Sequence, residues 1–263
     1  MSYSTRQLVI SVSAFILLLL SNITKANIGT FYQQVSGDYH RYYGPSGLPT
    51  LFAGLALGGI MSNAELDFIV RDEWQDHLRS PFLNEVSNQV DNYGKLTPYQ
   101  WAVPMYLGAL WVSSQHETLA PLHTWANHSL RALILGAPQQ WFLTNALGGG
   151  RPETGQSQWH FFRHSRAVSG HAFYGAIPLL NAAHLTDNTW LKVTAYSLSV
   201  LPALARINND KHYASQVFLG WWLAYNATKN VWEGDKVSKK SQKWIMEWIP
   251  TPNAIYFAVN RKL

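Results

Sequence analysis

The sequence predicts an all-α protein, a helical bundle forming one domain. Three observations carry that expectation: apolar stretches long enough for helices follow one another through most of the chain, few segments alternate with period two, and 263 residues without an internal period suit one large core. The N-terminus, MSYSTRQLVISVSAFILLLLSNITKAN, sets Arg6 before an apolar run over 8–20 and places small Ala26 before Asn27. That layout reads as a secretory signal peptide over 1–26, with an uncleaved membrane anchor as the alternative. The lead that follows, FYQQVSGDYHRYYGPSGLP, is Tyr-rich and full of turn formers, and reads as an irregular arm over 27–48. Helices are then expected at LPTLFAGLALGGIMSN, at AELDFIVRDEWQDHLRS, over 82–93, at YQWAVPMYLGALWVSSQ, at LHTWANHSLRALILGA and, as a separate element opened by Pro138, at PQQWFLTNAL. HAFYGAIPLLNAAHL, TWLKVTAYSLSVLPALARI and SQVFLGWWLAYNATKNVW complete the set, so that 27–263 forms a single domain.

Composition narrows the setting. Without cysteine, a secreted chain cannot use disulfides and must be held by packing, which suits a bacterial periplasm; an inner-membrane protein with a periplasmic site is the alternative. Mean hydropathy of -0.11 is too low for a multi-span membrane protein, and the near-span-length apolar segments are diluted by Gln, Ser, Asn and Thr. Soluble core helices are therefore expected once the signal is removed, although twelve tryptophans suit contact with a membrane surface. The net charge of +5 favours anionic partners. The one dense basic cluster, KVSKKSQKW, reads as a solvated face, and nucleic acid is not expected as a partner.

Three short stretches supply groups suited to phosphate chemistry. In GGGRP, Arg151 offers a planar fork of donors after a triple glycine that lets the backbone turn tightly. In RAVSGHAF, Ser169 can cap a helix while Ser169 and Gly170 present N–H groups to an anion at the positive end of its dipole. ARINNDKHYASQVFLG adds Arg206 and His212, with Ser215 a candidate cap for the next helix. The glycines form no P-loop, lacking the following Gly-Lys-Ser/Thr. His116, His123 and His128 are spaced so that no two share a helical face as His-x-x-x-His would, and no metal site is expected. Asp67, Asp72, Glu73 and Asp76 read as a solvated acidic helix face.

Taken in order, the three stretches resemble the type 2 phosphatidic acid phosphatase superfamily, which includes bacterial non-specific acid phosphatases, lipid phosphatases and vanadium haloperoxidases. Its pattern is Lys, six residues, Arg-Pro; then Pro-Ser-Gly-His; then Ser-Arg, five residues, His, three residues, Asp. Arg151 and Pro152 match the first block, Ser169, Gly170 and His171 the second, and Arg206 and His212 the third, over 143–220. Four positions depart: Thr144 replaces the lysine, Val168 the proline, Ala205 the serine and Gln216 the aspartate. Thr144 removes a cation, for which Arg163, Arg166 or Lys211 could substitute. Gln216 removes the carboxylate that would orient and polarise His212.

The resemblance implies a helical bundle of the acid phosphatase type and hydrolysis of phosphomonoesters or diphosphates, on a small molecule or a lipid phosphate, with no metal or other cofactor. His212 would form a phosphohistidine, and His171 would protonate the leaving oxygen. Arg151, Arg206, Thr144 and the Ser169 to Gly170 backbone would hold the phosphate. Two alternatives follow from the same residues: an anion-binding relative with little or no turnover, and a vanadate-dependent haloperoxidase in which vanadate mimics phosphate.

Overall fold

The computed structural model describes residues 25–96, 99–241, 245–251 and 254–260. Nine α-helices dominate these residues, and the all-α class stands: α1 (Lys25–Tyr42), α2 (Leu48–Asn63), α3 (Leu66–Glu73), α4 (Pro81–Leu96), α5 (Tyr99–Ser114), α6 (Ala120–Ala146), α7 (Gly170–Leu185), α8 (Thr189–Asn208) and α9 (Ala214–Ser241). One antiparallel hairpin, β1 (Ile245–Thr251) with β2 (Ala254–Asn260), was not expected. It pairs Thr251 with Ala254, and its Ile, Trp, Tyr, Phe and Val content suits strands. Most of the proposed signal peptide lies outside the described residues, as does part of KVSKKSQKW.

α7 is the central helix. Phe173, Ala176, Ile177 and Leu180 are buried in one cluster with Leu133 and Leu135 of α6 and Leu219, Leu223 and Ala227 of α9, while Ala172 packs in a second with Ala203 and Val217, and Ala183 is buried too. A helix apolar on nearly every side is stable only when surrounded, and α6, α8 and α9 surround it. Where α7 meets α8, Gly175 lies so close that a Cβ there would come within 2.8 Å of Pro202 Cγ.

The expected irregular arm is corrected: 25–42 is helical. Phe31, Val35, Asp38 and Tyr42 recur at helical spacing and turn at least partly inward, but Asp38 at one inward position breaks the apolar signal. Its burial is made possible by Arg131, whose Nε and Nη2 donate to the two carboxylate oxygens at 2.7 and 3.0 Å. Arg131 Nη2 also donates to Asp235 at 2.8 Å, so this ion cluster joins α1, α6 and α9. Burial alone would push Asp235 up, yet His128 and Arg131 hold it well below the usual carboxylate range.

The two helices expected on either side of Pro138 are one. α6 runs through the proline, which removes a single intrahelical donor. Tyr42 donates its hydroxyl to Gln139 and Tyr43 donates to the Leu135 carbonyl at 3.1 Å, so the last residue of α1 and the one after it brace the helix around that point. α3 ends in a π-helical turn over Trp74–Leu78. Trp74 and Gln75 of this turn donate to Asn208 Oδ1 and the Ile207 carbonyl at 3.1 and 2.8 Å, serving the C-terminal end of α8.

Among the described residues no single helix is long and apolar enough to cross a membrane. The pair Leu48–Asn63 and Leu66–Leu78, bent by 71°, passes that test jointly by length and composition.

Candidate functional site

The Gly148–Arg151 turn is built by close contact. Gly148 has φ +74°, and a Cβ there would overlap the His160 carbonyl; one on Gly150 would lie 2.7 Å from the Gln156 carbonyl. Glycine is therefore required for the loop to fold against 156–160 and deliver Arg151. Ser169 caps α7 as its spacing suggested, accepting from Ala172 N–H at 3.4 Å. Phe173 N–H goes to the Ser169 carbonyl, which leaves the Gly170 amide at the open, positive end of the helix.

The third stretch closes on itself. Lys211 and His212 donate their backbone N–H groups to the Arg206 carbonyl at 2.9 and 3.3 Å. The turn needs a left-handed residue, Asp210 at φ +49°, and Arg71 holds that carboxylate through two bonds of 2.7 Å. The five-residue interval between Arg206 and His212 is thus one turn that returns the histidine beside the arginine. Blocks two and three then lock together: Ser169 N–H donates to the Gln216 carbonyl at 2.9 Å, and only a glycine at 220 fits against the Ser169 carbonyl.

Gln216 fixes the tautomer of His212. His212 Nδ1–H donates to Gln216 Oε1 at 2.8 Å, and Tyr213 N–H donates to the same oxygen at 3.3 Å. The Gln216 amide nitrogen donates to the Gly150 carbonyl. A donor on one side and an acceptor on the other allow one orientation of the amide, so Nδ1 carries the proton and Nε2 is bare. His212 is buried, and burial pushes its pKa down to about 3; the Gln216 bond opposes this, while the charges of Arg206, Arg151 and His171 push further down.

Positive groups converge around this ring. Arg151 is pushed below its ordinary value by burial and by Arg166, against the pull of Glu153, with Arg206 adding to the depression. The Nε atoms of Arg151 and Arg206 are buried without a hydrogen-bond partner. Arg206 Nη1 donates to Asp91 Oδ1 at 2.5 Å, while Arg163 and Arg166, both exposed, make no ion pair among the described residues. An open cleft of about 470 Å³ runs beside Arg151, lined also by Glu153, Thr154, Arg163, His164, Ser165 and Arg166.

The expected residues are thereby brought together, with one in a different position from the rest. Thr144 Oγ1 donates within its own helix to the Gln140 carbonyl and lies 3.1 Å from the Val168 carbonyl, while accepting from Gln140 Nε2 at 2.8 Å. Its place is behind the α7 N-terminus, where it steadies the approach to Ser169. Of the candidate replacement cations, Arg163 and Arg166 line the cleft, and Lys211 is exposed.

Three contributors were not singled out from sequence, and a fourth, Asp67, was given a different place. Asp91 pairs with Arg206, and Gly94 lies against His171 so closely that a Cβ would come within 2.7 Å of its Cδ2. Arg71 holds Asp210. Asp67, expected on a solvated face, is buried instead, accepting from Ser215 N–H at 2.7 Å and Ser215 Oγ at 2.5 Å. Ser215 is therefore inside the first turn of α9 and is held there by Asp67. Asp72, Glu73 and Asp76 are exposed. The spacing of Asp91 and Gly94 by three was the one available signal, placing both on one face of α4.

His128 is buried against Asp235, whereas His116 and His123 are exposed. Among the described residues no group of three or more His, Cys, Asp or Glu side chains is placed to hold a metal. Comparison with family models, curated proteins and solved structures returned no match.

Proposed function

We propose that the protein is a phosphoric-ester hydrolase that passes phosphate through His212. The observation that supports this most is the clamped His212–Gln216 pair: a buried imidazole with a bare Nε2, set among Arg151 and Arg206. A neutral, desolvated imidazole is a competent nucleophile, and the surrounding cations stabilise the phosphoryl oxygens as charge develops. Nε2 attacks phosphorus in line, the ester bond breaks, and His171 gives the leaving oxygen its proton. Water then attacks the phosphohistidine, His171 takes its proton, and the nitrogen–phosphorus bond breaks. The Gly170 amide at the start of α7 and the two arginines hold the equatorial oxygens. The resemblance of the three sequence blocks to the type 2 phosphatidic acid phosphatases supports the same roles, a periplasmic site and a metal-independent reaction.

A second reading, anion binding with little turnover, has specific support in the neutral Gln216 and in Asp91, which already occupies Arg206. Phosphate release from p-nitrophenyl phosphate by the purified protein separates the two. Hydrolysis is expected, abolished by His212→Ala and His171→Ala, severely reduced by Arg206→Ala and retained in excess chelator. Phosphate binding with no release of nitrophenol supports the second reading, and activity restored only by added Zn²⁺ or Mg²⁺ overturns the histidine mechanism.

A further inference from the structure

We infer that the turn carrying Phe161 and Phe162 is a docking surface for an anionic lipid bilayer, in which the two rings enter the apolar layer while Arg163 and Arg166 meet lipid phosphates. This goes beyond the hydrolytic reading and does not depend on it. Phe161 and Phe162 are 69% and 77% exposed. Single exposed apolar residues are ordinary, but two adjacent phenylalanines so fully in water mark an interaction site.

The turn is built to hold them there. Phe162 adopts φ +62°, a left-handed backbone that is costly for a bulky side chain. It is kept there by its own N–H, which donates to the Ala146 carbonyl at 3.1 Å, and by Arg163 N–H, which donates to the His160 carbonyl at 2.9 Å. Gly148 admits that same His160 carbonyl where a Cβ would overlap it. The backbone thus fixes the direction in which both rings leave the turn. The elements that anchor it expose apolar side chains as well. Phe142 lies four residues before Ala146, about 6 Å back along the same face of α6, and both it and Trp141 are exposed. At the start of the loop, Trp159 N–H donates to Asn63 Oδ1 at 3.2 Å and its ring lies against Gly59, on the helix turn where Ile60 of the uncharged α2 is exposed.

Charge selects the occupant. The segment 160–166, HFFRHSR, holds two arginines and two histidines and no acid. A second copy of the chain seated on this patch by two-fold symmetry would bring the arginines against one another. A bilayer with anionic headgroups needs no matching shape. Rings at the tip of a turn, with cations next to them in the chain, suit its passage from apolar interior to charged surface. Arg163, His164, Ser165 and Arg166 also line the cleft beside Arg151, so docking sets that cleft at the headgroup layer.

The chain has no cysteine, so a single introduced thiol reports locally. His160→Cys, and Glu117→Cys just before α6 and about 40 Å from its other end, each carry a nitrobenzoxadiazole label on the full chain. Vesicles of equal parts phosphatidylglycerol and phosphatidylcholine are expected to shift the emission at position 160 to the blue and leave that at 117 unchanged. Phosphatidylcholine vesicles are expected to need at least about tenfold more lipid for the half-maximal shift. Adding Phe161→Ser and Phe162→Asn, the asparagine chosen because it tolerates the left-handed turn, is expected to raise the midpoint at least about tenfold with thermal unfolding unchanged. Should that variant unfold, Phe161→Ser alone carries the same test. No shift at 160, an equal shift at 117, or an unchanged midpoint without the rings overturns the docking surface. Dimers that form without lipid in the parent and are lost in the ring variant also overturn it, making a second copy the occupant.

Discussion

At the scale of single residues, Gln216 is the position expected to limit the rate of the proposed hydrolysis. Its oxygen fixes the tautomer of His212 but carries no charge to balance the imidazolium that the proposed attack on phosphorus would form. Replacing the triad aspartate of serine proteases by asparagine costs about 10⁴ in rate, largely through the wrong tautomer; here the amide presents its oxygen, so the deficit is smaller. Gln216→Asp is expected to raise kcat roughly ten- to a hundredfold, equivalent to about 1.4 to 2.7 kcal/mol of barrier. The shorter carboxylate also abandons the buried Gly150 carbonyl, so the same variant is expected to lose about 1 to 3 kcal/mol of stability. Steady-state kinetics and urea unfolding on one preparation check both. A rate gain without a stability loss would mean that the Gly150 bond contributes little.

At the scale of elements, α3 is stapled to the first turn of α9 by Asp67. Burial pushes this carboxyl up to about 6, against the bonds from Ser215 and Ser157 that pull it down. The folded chain therefore holds a proton on Asp67 that the unfolded chain has released above about 3.9. The resulting stabilisation is full below that value and is lost as pH rises through about 6, a change of up to about 3 kcal/mol. His212, depressed by burial, acts in the opposite direction, losing stability as pH falls below about 6.5. Comparing Asp67→Asn with the parent isolates the first effect. Between about pH 4.5 and 7.5 the difference in unfolding free energy is expected to move in the variant's favour, and a constant difference would show that Asp67 titrates normally. Sequence made the element pattern legible wherever the inward face was apolar, as in α2, α7 and α8. It misled where a charge turned inward, at Asp38 and Asp67, because each is buried through a partner on a distant helix. It misled again at Pro138, where bracing from Tyr42 and Tyr43 keeps one helix whole. The site was legible to the extent that it is local: Ser169 as a cap, and the interval from Arg206 to His212 as a turn. Asp91, Gly94 and Arg71 lie outside all three motif stretches, and only the packing of α3 and α4 brings them in.

At the scale of the molecule, the buried ion cluster of Asp38, Arg131 and Asp235 fastens three helices far apart in sequence. Asp38→Ala leaves Arg131, 1% exposed, with a lost partner, and is expected to cost about 3 to 5 kcal/mol in urea unfolding. Combining Asp38→Leu with Arg131→Met is expected to recover much of that, since a packed apolar pair avoids burying charge. Additive losses in the double variant would contradict this. The candidate site has its own long-range fastenings. Arg206 meets Asp91 across 115 positions, Arg71 meets Asp210 across 139, and Ser215 meets Asp67 across 148. Each such contact closes a long loop, whose entropy must be overcome before the contact returns any energy. During synthesis, α3 and α4 leave the ribosome well before the segment from Arg206 to Gln216 exists. Their acidic and basic side chains wait in water while the central helices are still being made. Assembly of the site is consequently a late event in folding, and chains arrested before Arg206 carry the first two motif stretches without the histidine that the proposed reaction needs.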